Sequence, residues 1–246
     1  MKIPEGATQD IIYRPVWAVD RPAVDMFYAL PIMRSEDGAV IKGLNPLDRH
    51  PTVEATMMHQ VKYLTQALQA LQRSAKLGEP IRLVVRINSV ALATKEAAGE
   101  VTEELRVLSD DERKQIVPEI VEFPKSLSME TMDDITIPLM AFFDTWIARP
   151  EKEHADFTPF ANLNYGGVTL DLEDKPLDLK LAGKIFQLFA LRASHRRLPT
   201  WLLGVPTLEL AKLARIAGMQ VISGSYMNMD DGMPGPVLEG DQPFRG

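Results

Sequence analysis

The segment Val117–Phe123 has the sequence Val-Pro-Glu-Ile-Val-Glu-Phe. Its apolar residues predict a buried strand, which two carboxylates, Glu119 and Glu122, interrupt at a spacing of three. On an extended strand this spacing sends the two side chains to opposite faces, so one of them points inward. A buried carboxylate stays charged only beside a cation or several hydrogen-bond donors. If Glu119 is the carboxylate that points inward, the fold has to place a cation or hydrogen-bond donors beside it.

The composition is that of a globular protein with an excess of acidic residues. The chain has 246 residues, of which 46% are hydrophobic and 25% are charged, and its net charge is -7. This length accommodates one large α/β domain, and the negative charge argues against a general affinity for nucleic acid or for an anionic membrane surface. No apolar run is long enough to span a membrane. The absence of cysteine excludes disulfides, thiolate zinc sites and cysteine nucleophiles, and it is typical of a cytoplasmic protein.

Strand-like and helix-like segments alternate along the chain. Strands are predicted at 11–19, 23–33, 81–90, 116–123, 157–163, 167–172, 201–205 and 220–227. The main helices are predicted at 52–77, 94–108, 128 or 133 to 148, 177–195 and 207–217. Regular alternation with about eight strands indicates a parallel sheet closed into a barrel, with an irregular start made of two sequential strands. We expect one domain over residues 1–227 and an irregular tail over 228–246.

Six short motifs follow one another along the chain: Tyr13–Val16, Met26–Leu30, Arg86–Ser89, Glu119–Glu122, Thr169–Asp171 and Leu203–Thr207. In this order they resemble the Tyr-Gln-Pro-Ile, Glu-Ala-Leu, Val-Asn-Leu-Ser, Glu-Ile-Thr-Glu, Lys-Ile-Asp and Glu-Gly-Val-Glu-Thr motifs of the bacterial EAL domain. That family hydrolyses cyclic di-GMP (c-di-GMP). The resemblance extends over nearly the whole chain, and it implies an α/β fold, a TIM-like (β/α)8 barrel of EAL type whose first strand is antiparallel.

The chemistry of the family requires two divalent cations, held by carboxylates and an asparagine with a lysine nearby, to activate water against a phosphodiester. When the family positions are carried over, the signature glutamate is Tyr28, the lysine is Thr169 and the late glutamate is Leu203. Asn88 and Glu119 are retained. The resemblance therefore implies a site in which several metal ligands have been replaced.

The family's Asp-Asp-Phe-Gly motif has its nearest match at 155–158, where only Asp156 is retained. Even with Asp156 counted, two carboxylates and one amide are too few oxygen ligands for two cations. We therefore expect the fold without the phosphodiesterase activity, and with no catalytic residue, metal or cofactor.

Strand parity predicts what replaces the cations. Residues two apart on a strand share a face, so Arg86 points inward together with Asn88, which the resemblance places in the barrel lumen. A guanidinium beside Glu119 would satisfy two charges that are each costly to bury alone. We predict an Arg86–Glu119 pair, with Arg14 as a candidate third member.

Each candidate also has an ordinary structural interpretation. Glu119 would accept a hydrogen bond from a neighbouring backbone donor, and Asn88 would satisfy the loop at the end of its strand. Tyr28 would pack in the core with its hydroxyl bonded at the barrel mouth. Asp171 would organise a turn before Pro176.

One function that stays open is a non-catalytic, degenerate EAL-like module of a bacterial signalling or regulatory pathway. Such a module would bind a protein partner or a second copy of itself. Phe142, Phe143 and Trp146, predicted on one helix, are candidates for its docking surface, although core packing is the interpretation we favour for them.

The alternative is a receptor that binds c-di-GMP without hydrolysing it. Its phosphate recognition would depend on Arg14, Arg34 and Arg86, because guanidinium is well shaped for phosphate. An active phosphodiesterase with rearranged ligands is the least favoured function, since the ligand count is low.

Overall fold

Eight strands hydrogen-bond to one another in a closed circle in the computed structural model, which describes residues 4–21, 23–41, 45–47, 52–151, 154, 156–227 and 238–239. The barrel strands are Thr8–Ala18 (β1), Met26–Arg34 (β3), Arg82–Asn88 (β4), Ile116–Val121 (β5), Trp146–Ala148 (β6), Tyr165–Asp171 (β7), Thr200–Leu203 (β8) and Val221–Ser223 (β9). A separate two-stranded sheet joins Ala23–Val24 (β2) to Leu238–Glu239 (β10). The predicted barrel is confirmed.

Strand direction agrees with the prediction as well. β1 runs antiparallel to both of its neighbours, β3 and β9, whereas the other pairs around the barrel are parallel. The carboxyl ends of the seven parallel strands therefore meet at one end of the barrel, which we call the mouth. In α/β barrels this end is built from the loops that follow the strands, and it is where functional groups gather.

Helices surround the barrel at Val53–Lys76 (α1), Lys95–Arg106 (α2), Asp110–Lys114 (α3), Met129–Met140 (α4), Thr158–Ala161 (α5), Leu179–Ser194 (α6) and Leu208–Ile216 (α7). Most of them begin where the sequence offers a capping side chain, because an oxygen of the preceding Thr, Ser or Asp accepts from an otherwise unpaired backbone N–H. None of the helices in the described ranges has the length and apolarity needed to cross a membrane.

Two predicted elements are wrong in the middle of the chain. The strand predicted at 157–163 is the short helix α5, which has a proline in its first turn. The helix predicted to run to residue 148 ends at Met140, and Trp146–Ala148 forms the strand β6 instead. The expected number of barrel strands is correct because one strand was wrongly added and another was missed. A three-residue strand is too short for periodicity to separate it from the end of a helix.

Two further differences from the prediction concern the start of β7 and the C-terminal tail. β7 begins at Tyr165, two residues before the strand predicted at 167–172, and a turn that ends at Asn164, whose φ is 57°, precedes it. The expected tail, 228–246, lies outside the described residues except for Leu238–Glu239. Those two residues are not irregular, because they pair with β2.

The apolar residues divide between the barrel lumen and the layer between barrel and helices. The lumen is filled below the mouth by a cluster that includes Val84, Ile147 and Trp201. Phe143 and Trp146 are buried in the outer layer, and Phe142 is half-buried against it. Core packing, the favoured interpretation of these three aromatic residues, is thus what the structure shows, although they do not share one helix.

Candidate functional site

Five polar side chains come together inside the barrel at its mouth. Tyr28 extends from β3, Arg86 from β4 and Glu119 from β5, while Arg149 directly follows β6 and Asp171 ends β7. Hydrogen bonds and ion pairs connect all five. We call this group the lumen cluster.

Glu119 lies at the centre of the lumen cluster and is 0% exposed. Arg149 donates hydrogen bonds to both carboxylate oxygens of Glu119. Its Nε donates to Oε1 at 3.2 Å, and a terminal nitrogen, NH2, donates to Oε2 at 2.8 Å. The Tyr28 hydroxyl donates to the same Oε2 at 2.5 Å. Bidentate hydrogen bonds between a guanidinium and a carboxylate are charge-assisted, so they are stronger than neutral hydrogen bonds and fix the geometry of both groups.

The predicted Arg86–Glu119 pair is present, but its shortest contact is long. Arg86 Nε lies 3.9 Å from Glu119 Oε2, whereas it donates to the Tyr28 hydroxyl at 2.8 Å. The Tyr28 hydroxyl therefore connects the two charges by accepting from Arg86 and donating to Glu119. Arg149, which sequence reasoning missed, makes the direct bond to the carboxylate.

Asp171 forms the outer side of the lumen cluster. Its Oδ2 lies 2.6 Å from an Arg149 nitrogen and 3.8 Å from an Arg86 nitrogen, while its Oδ1 accepts from the backbone N–H of Glu173 at 2.8 Å. Asp171 thus organises the turn after β7, as its ordinary interpretation required, and also binds arginine. Two guanidinium groups and two carboxylates make the cluster neutral overall.

Burial and neighbouring charges shift the pKa values of Asp171, Arg149 and Tyr28. Burial raises the pKa of the Asp171 carboxyl, but Arg149, Arg86 and a backbone N–H outweigh burial and hold that pKa below its ordinary value. Burial lowers the pKa of Arg149, yet the surrounding acidic groups bring it well above its ordinary range. Burial also raises the pKa of Tyr28, so its hydroxyl stays protonated and donates.

Polar side chains of α1 hold the strand that carries Arg86. The β3–β4 ladder covers only the first three residues of β4, and beyond it Tyr63 and Gln60 hydrogen-bond to the backbone of β4. The Tyr63 hydroxyl accepts from the Arg86 backbone N–H at 3.0 Å and donates to the carbonyl of Ala29 on β3 at 2.7 Å. Gln60 donates to the Arg86 carbonyl at 2.9 Å and accepts from the Asn88 N–H at 2.8 Å.

Three other predicted site residues stay outside the lumen cluster. The side chain of Asn88 accepts from Val90 N–H at 2.9 Å and donates to the Leu47 carbonyl at 2.6 Å, which is the loop-satisfying role. Thr169 is buried on β7, and its hydroxyl has no hydrogen-bond partner among the described residues. Leu203 packs with the apolar residues of the lumen.

Asp156 is a correction to the predicted site. The residue is exposed, and its carboxylate accepts from the Thr158 backbone N–H at 2.9 Å and lies 3.5 Å from Arg196. It precedes the helix α5 instead of ending a barrel strand, so the structure does not bring it to the mouth. The polar residue that follows the barrel strand β6 is Arg149.

The two remaining arginines of the prediction also have other partners. Arg14 does not join Glu119 but pairs with Asp174, in the turn after β7, at 2.8 Å. Arg34 pairs with Asp10 at 2.5 Å. Arg86 forms longer ion pairs with Glu119 and Asp171, so each arginine proposed for phosphate recognition has a carboxylate within 4 Å.

A local signal for Arg149 exists in the sequence. The apolar run Trp146–Ala148 is followed by Arg149 and then Pro150, and a proline commonly follows an extended residue. If residues 146–149 are extended, Arg149 and Ile147 are two residues apart and share a face, and Ile147 points into the lumen.

The two divalent cations implied by the resemblance do not fit these residues. The described part of the chain contains no group of three or more His, Cys, Asp or Glu side chains placed to hold a metal ion. Both oxygens of Glu119 and one oxygen of Asp171 bind Arg149, and the other oxygen of Asp171 binds backbone. The Asn88 amide oxygen also accepts from backbone. Guanidinium groups thus occupy the space between the acids.

No protein-family model matches the chain, and no curated protein matches its sequence. Solved structures do match. PaMucR phosphodiesterase in complex with c-di-GMP has 13% identity and a TM-score of 0.70, over 91% of this chain and 92% of that one. The FimX EAL domain of Pseudomonas aeruginosa, bound to c-di-GMP, has 13% identity and a TM-score of 0.67, over 91% of both chains.

A third match is the YkuI protein of Bacillus subtilis, which has an EAL domain and was solved with c-di-GMP and calcium. Its identity is 18% and its TM-score 0.66, over 95% of this chain and 56% of that one. At these identities the matches establish a shared fold.

Proposed function

Because the chain has the fold of EAL domains, we propose that it is a non-catalytic, cytoplasmic member of bacterial c-di-GMP signalling that acts by binding a protein partner. The observation that carries this proposal is the bidentate hydrogen bonding of Arg149 to Glu119. It places fixed positive charge of the protein against the one fully buried carboxylate of the lumen cluster.

The lumen cluster lacks the means to activate water. A guanidinium has no acceptor atom and does not lose its proton in proteins, so it cannot act as a general base. It also lacks the open coordination position through which a metal ion lowers the pKa of water. Both oxygens of Glu119 already accept hydrogen bonds from Tyr28 or Arg149. These properties support loss of hydrolysis.

Binding of c-di-GMP without hydrolysis is the second candidate function. All three matched structures described above contain the dinucleotide, which favours this function. The engagement of Arg14, Arg34 and Arg86 by carboxylates disfavours it, because phosphate would have to displace an existing ion pair from each arginine. We therefore place the protein-binding function first.

Calorimetric titration with c-di-GMP, with and without magnesium, separates these functions. The protein-binding module gives no binding heat in either condition. Micromolar binding without turnover would establish the receptor instead. Magnesium-dependent binding followed by hydrolysis would overturn the proposal.

A further inference from the structure

The outward face of α6 is apolar where an amphipathic helix is normally polar. Ala182, Phe186 and Ala193 are buried on its inner side. Leu181, Leu188 and Leu191 lie on the opposite side and are 50%, 49% and 54% exposed. We call these three residues the α6 leucine row.

The spacing of the α6 leucine row indicates the shape of what covers it. Its members lie at relative positions 0, 7 and 10, and Lys184 occupies position 3. These are the a and d positions of a heptad, the pattern by which one helix packs along another.

The charges beside the α6 leucine row are positive, although the chain as a whole is acidic. α6 contains Lys180, Lys184 and Arg192 and has no Asp or Glu between residues 179 and 194. His195, Arg196 and Arg197 follow directly. Asp178 at the start of α6 is used as its cap, and Asp156 lies against Arg196. A partner with acidic residues on either side of an apolar row would complement this surface.

We propose that the α6 leucine row and its flanking cations bind an amphipathic helix of a partner protein, whose apolar residues are bordered by Asp and Glu. This identifies the chemistry of the partner and so rests on the protein-binding function proposed above.

Charge favours such a helix over a second copy of this chain. An antiparallel α6 pair that packs Leu181 against Leu191 also brings Lys180 of one copy opposite Arg192 of the other, because the residue numbers in both pairs add to the same total. Like charges so placed are destabilising. The same cations would attract an anionic membrane surface, but the heptad spacing of the α6 leucine row favours a helix.

Fluorescence polarisation with a labelled helical peptide tests the proposal on the full chain. The peptide has about three heptads, with leucine at a and d and glutamate at e and g, and a matched peptide carries lysine at e and g. We expect saturable, salt-sensitive binding of the acidic peptide alone. Leu188→Asp should weaken this binding about tenfold or more, because it places a charge in the apolar contact. Lys184→Glu should weaken it and reduce its salt dependence.

Leu77→Asp is the matched control, since Leu77 is 67% exposed at the end of α1 and should leave peptide binding unchanged. Circular dichroism checks that all variants fold. Failure of the acidic peptide to bind, or equal binding of both peptides, would overturn the proposal. So would self-association in sedimentation that Leu188→Asp abolishes, or binding to phosphatidylserine vesicles that Leu188→Asp abolishes. Hydrolysis of c-di-GMP, measured separately, would refute the non-catalytic function while leaving the peptide result standing.

Discussion

Replacement of Arg149 by methionine removes the group on which the lumen cluster depends. Methionine retains an unbranched apolar stem but leaves Glu119 and Asp171 without their shortest ionic partner. Loss of one member of a buried ion pair costs ~3–5 kcal/mol. Arg86 remains 3.9 Å from Glu119 and 3.8 Å from Asp171 and recovers part of this loss. We therefore expect the free energy of unfolding to fall by about 3 kcal/mol, the lower end of that range.

Urea unfolding followed by circular dichroism measures this change. Arg106→Met is the matched control, because Arg106 pairs with Glu103 on the exposed side of α2 and its removal should have little effect. Adding Glu119→Gln to Arg149→Met removes the unpaired buried charge. The double variant should therefore be more stable than the sum of the single losses predicts, by ~1–3 kcal/mol.

A loss below about 1 kcal/mol for Arg149→Met, with an unchanged denaturant slope, would equal that of an exposed pair and would refute this account of the cluster. Additive losses in the double variant would contradict the direct bond between Arg149 and Glu119.

Three further outcomes are expected. Tyr28→Phe should lower the free energy of unfolding by ~1–3 kcal/mol in urea, because Glu119 and Arg86 both lose the hydroxyl that joins them. Gly204→Ala should melt at a lower temperature than Gly78→Ala, although both glycines have positive φ. An added Cβ at position 204 would lie 2.6 Å from Asp171 Oδ1, whereas at position 78 it would meet nothing within 4 Å, so equal melting temperatures would contradict the packing. The pKa of Asp171 is lower in the folded state, so its contribution to stability is present above its unfolded pKa of about 3.9 and is lost as pH falls through the folded value. Asp171→Asn should remove this part of the acid dependence, and identical acid-unfolding curves for the variant and the wild type would contradict the expectation.

The sequence contains enough information to predict the barrel and the inner side of two of its strands. Alternation of strands and helices predicts the barrel. The family resemblance assigns Asn88 and Glu119 to the site in the lumen, and parity on β4 then places Arg86 on the same face as Asn88. The role of Tyr28 at the mouth followed from the need of a buried hydroxyl for a partner.

Contacts set by tertiary structure were beyond the reach of these patterns. Arg149 was missed because β6 has only three residues, which give no measurable period. The inward face of α1 includes Gln60 and Tyr63, which pattern reasoning assigns to solvent or core without identifying the backbone groups they bind. Asp174 contacts Arg14 from a turn in which residues 173 and 174 have positive φ, and sequence patterns do not predict such a turn.

Under the proposed function, guanidinium groups take the place of divalent cations in this lumen, and an assay of c-di-GMP hydrolysis in magnesium or manganese, read by chromatography, tests this. We expect the dinucleotide to stay intact with the wild-type protein, and we expect neither metal to raise the melting temperature of the protein. Metal-dependent cleavage by the wild type that Glu119→Gln abolishes would contradict it.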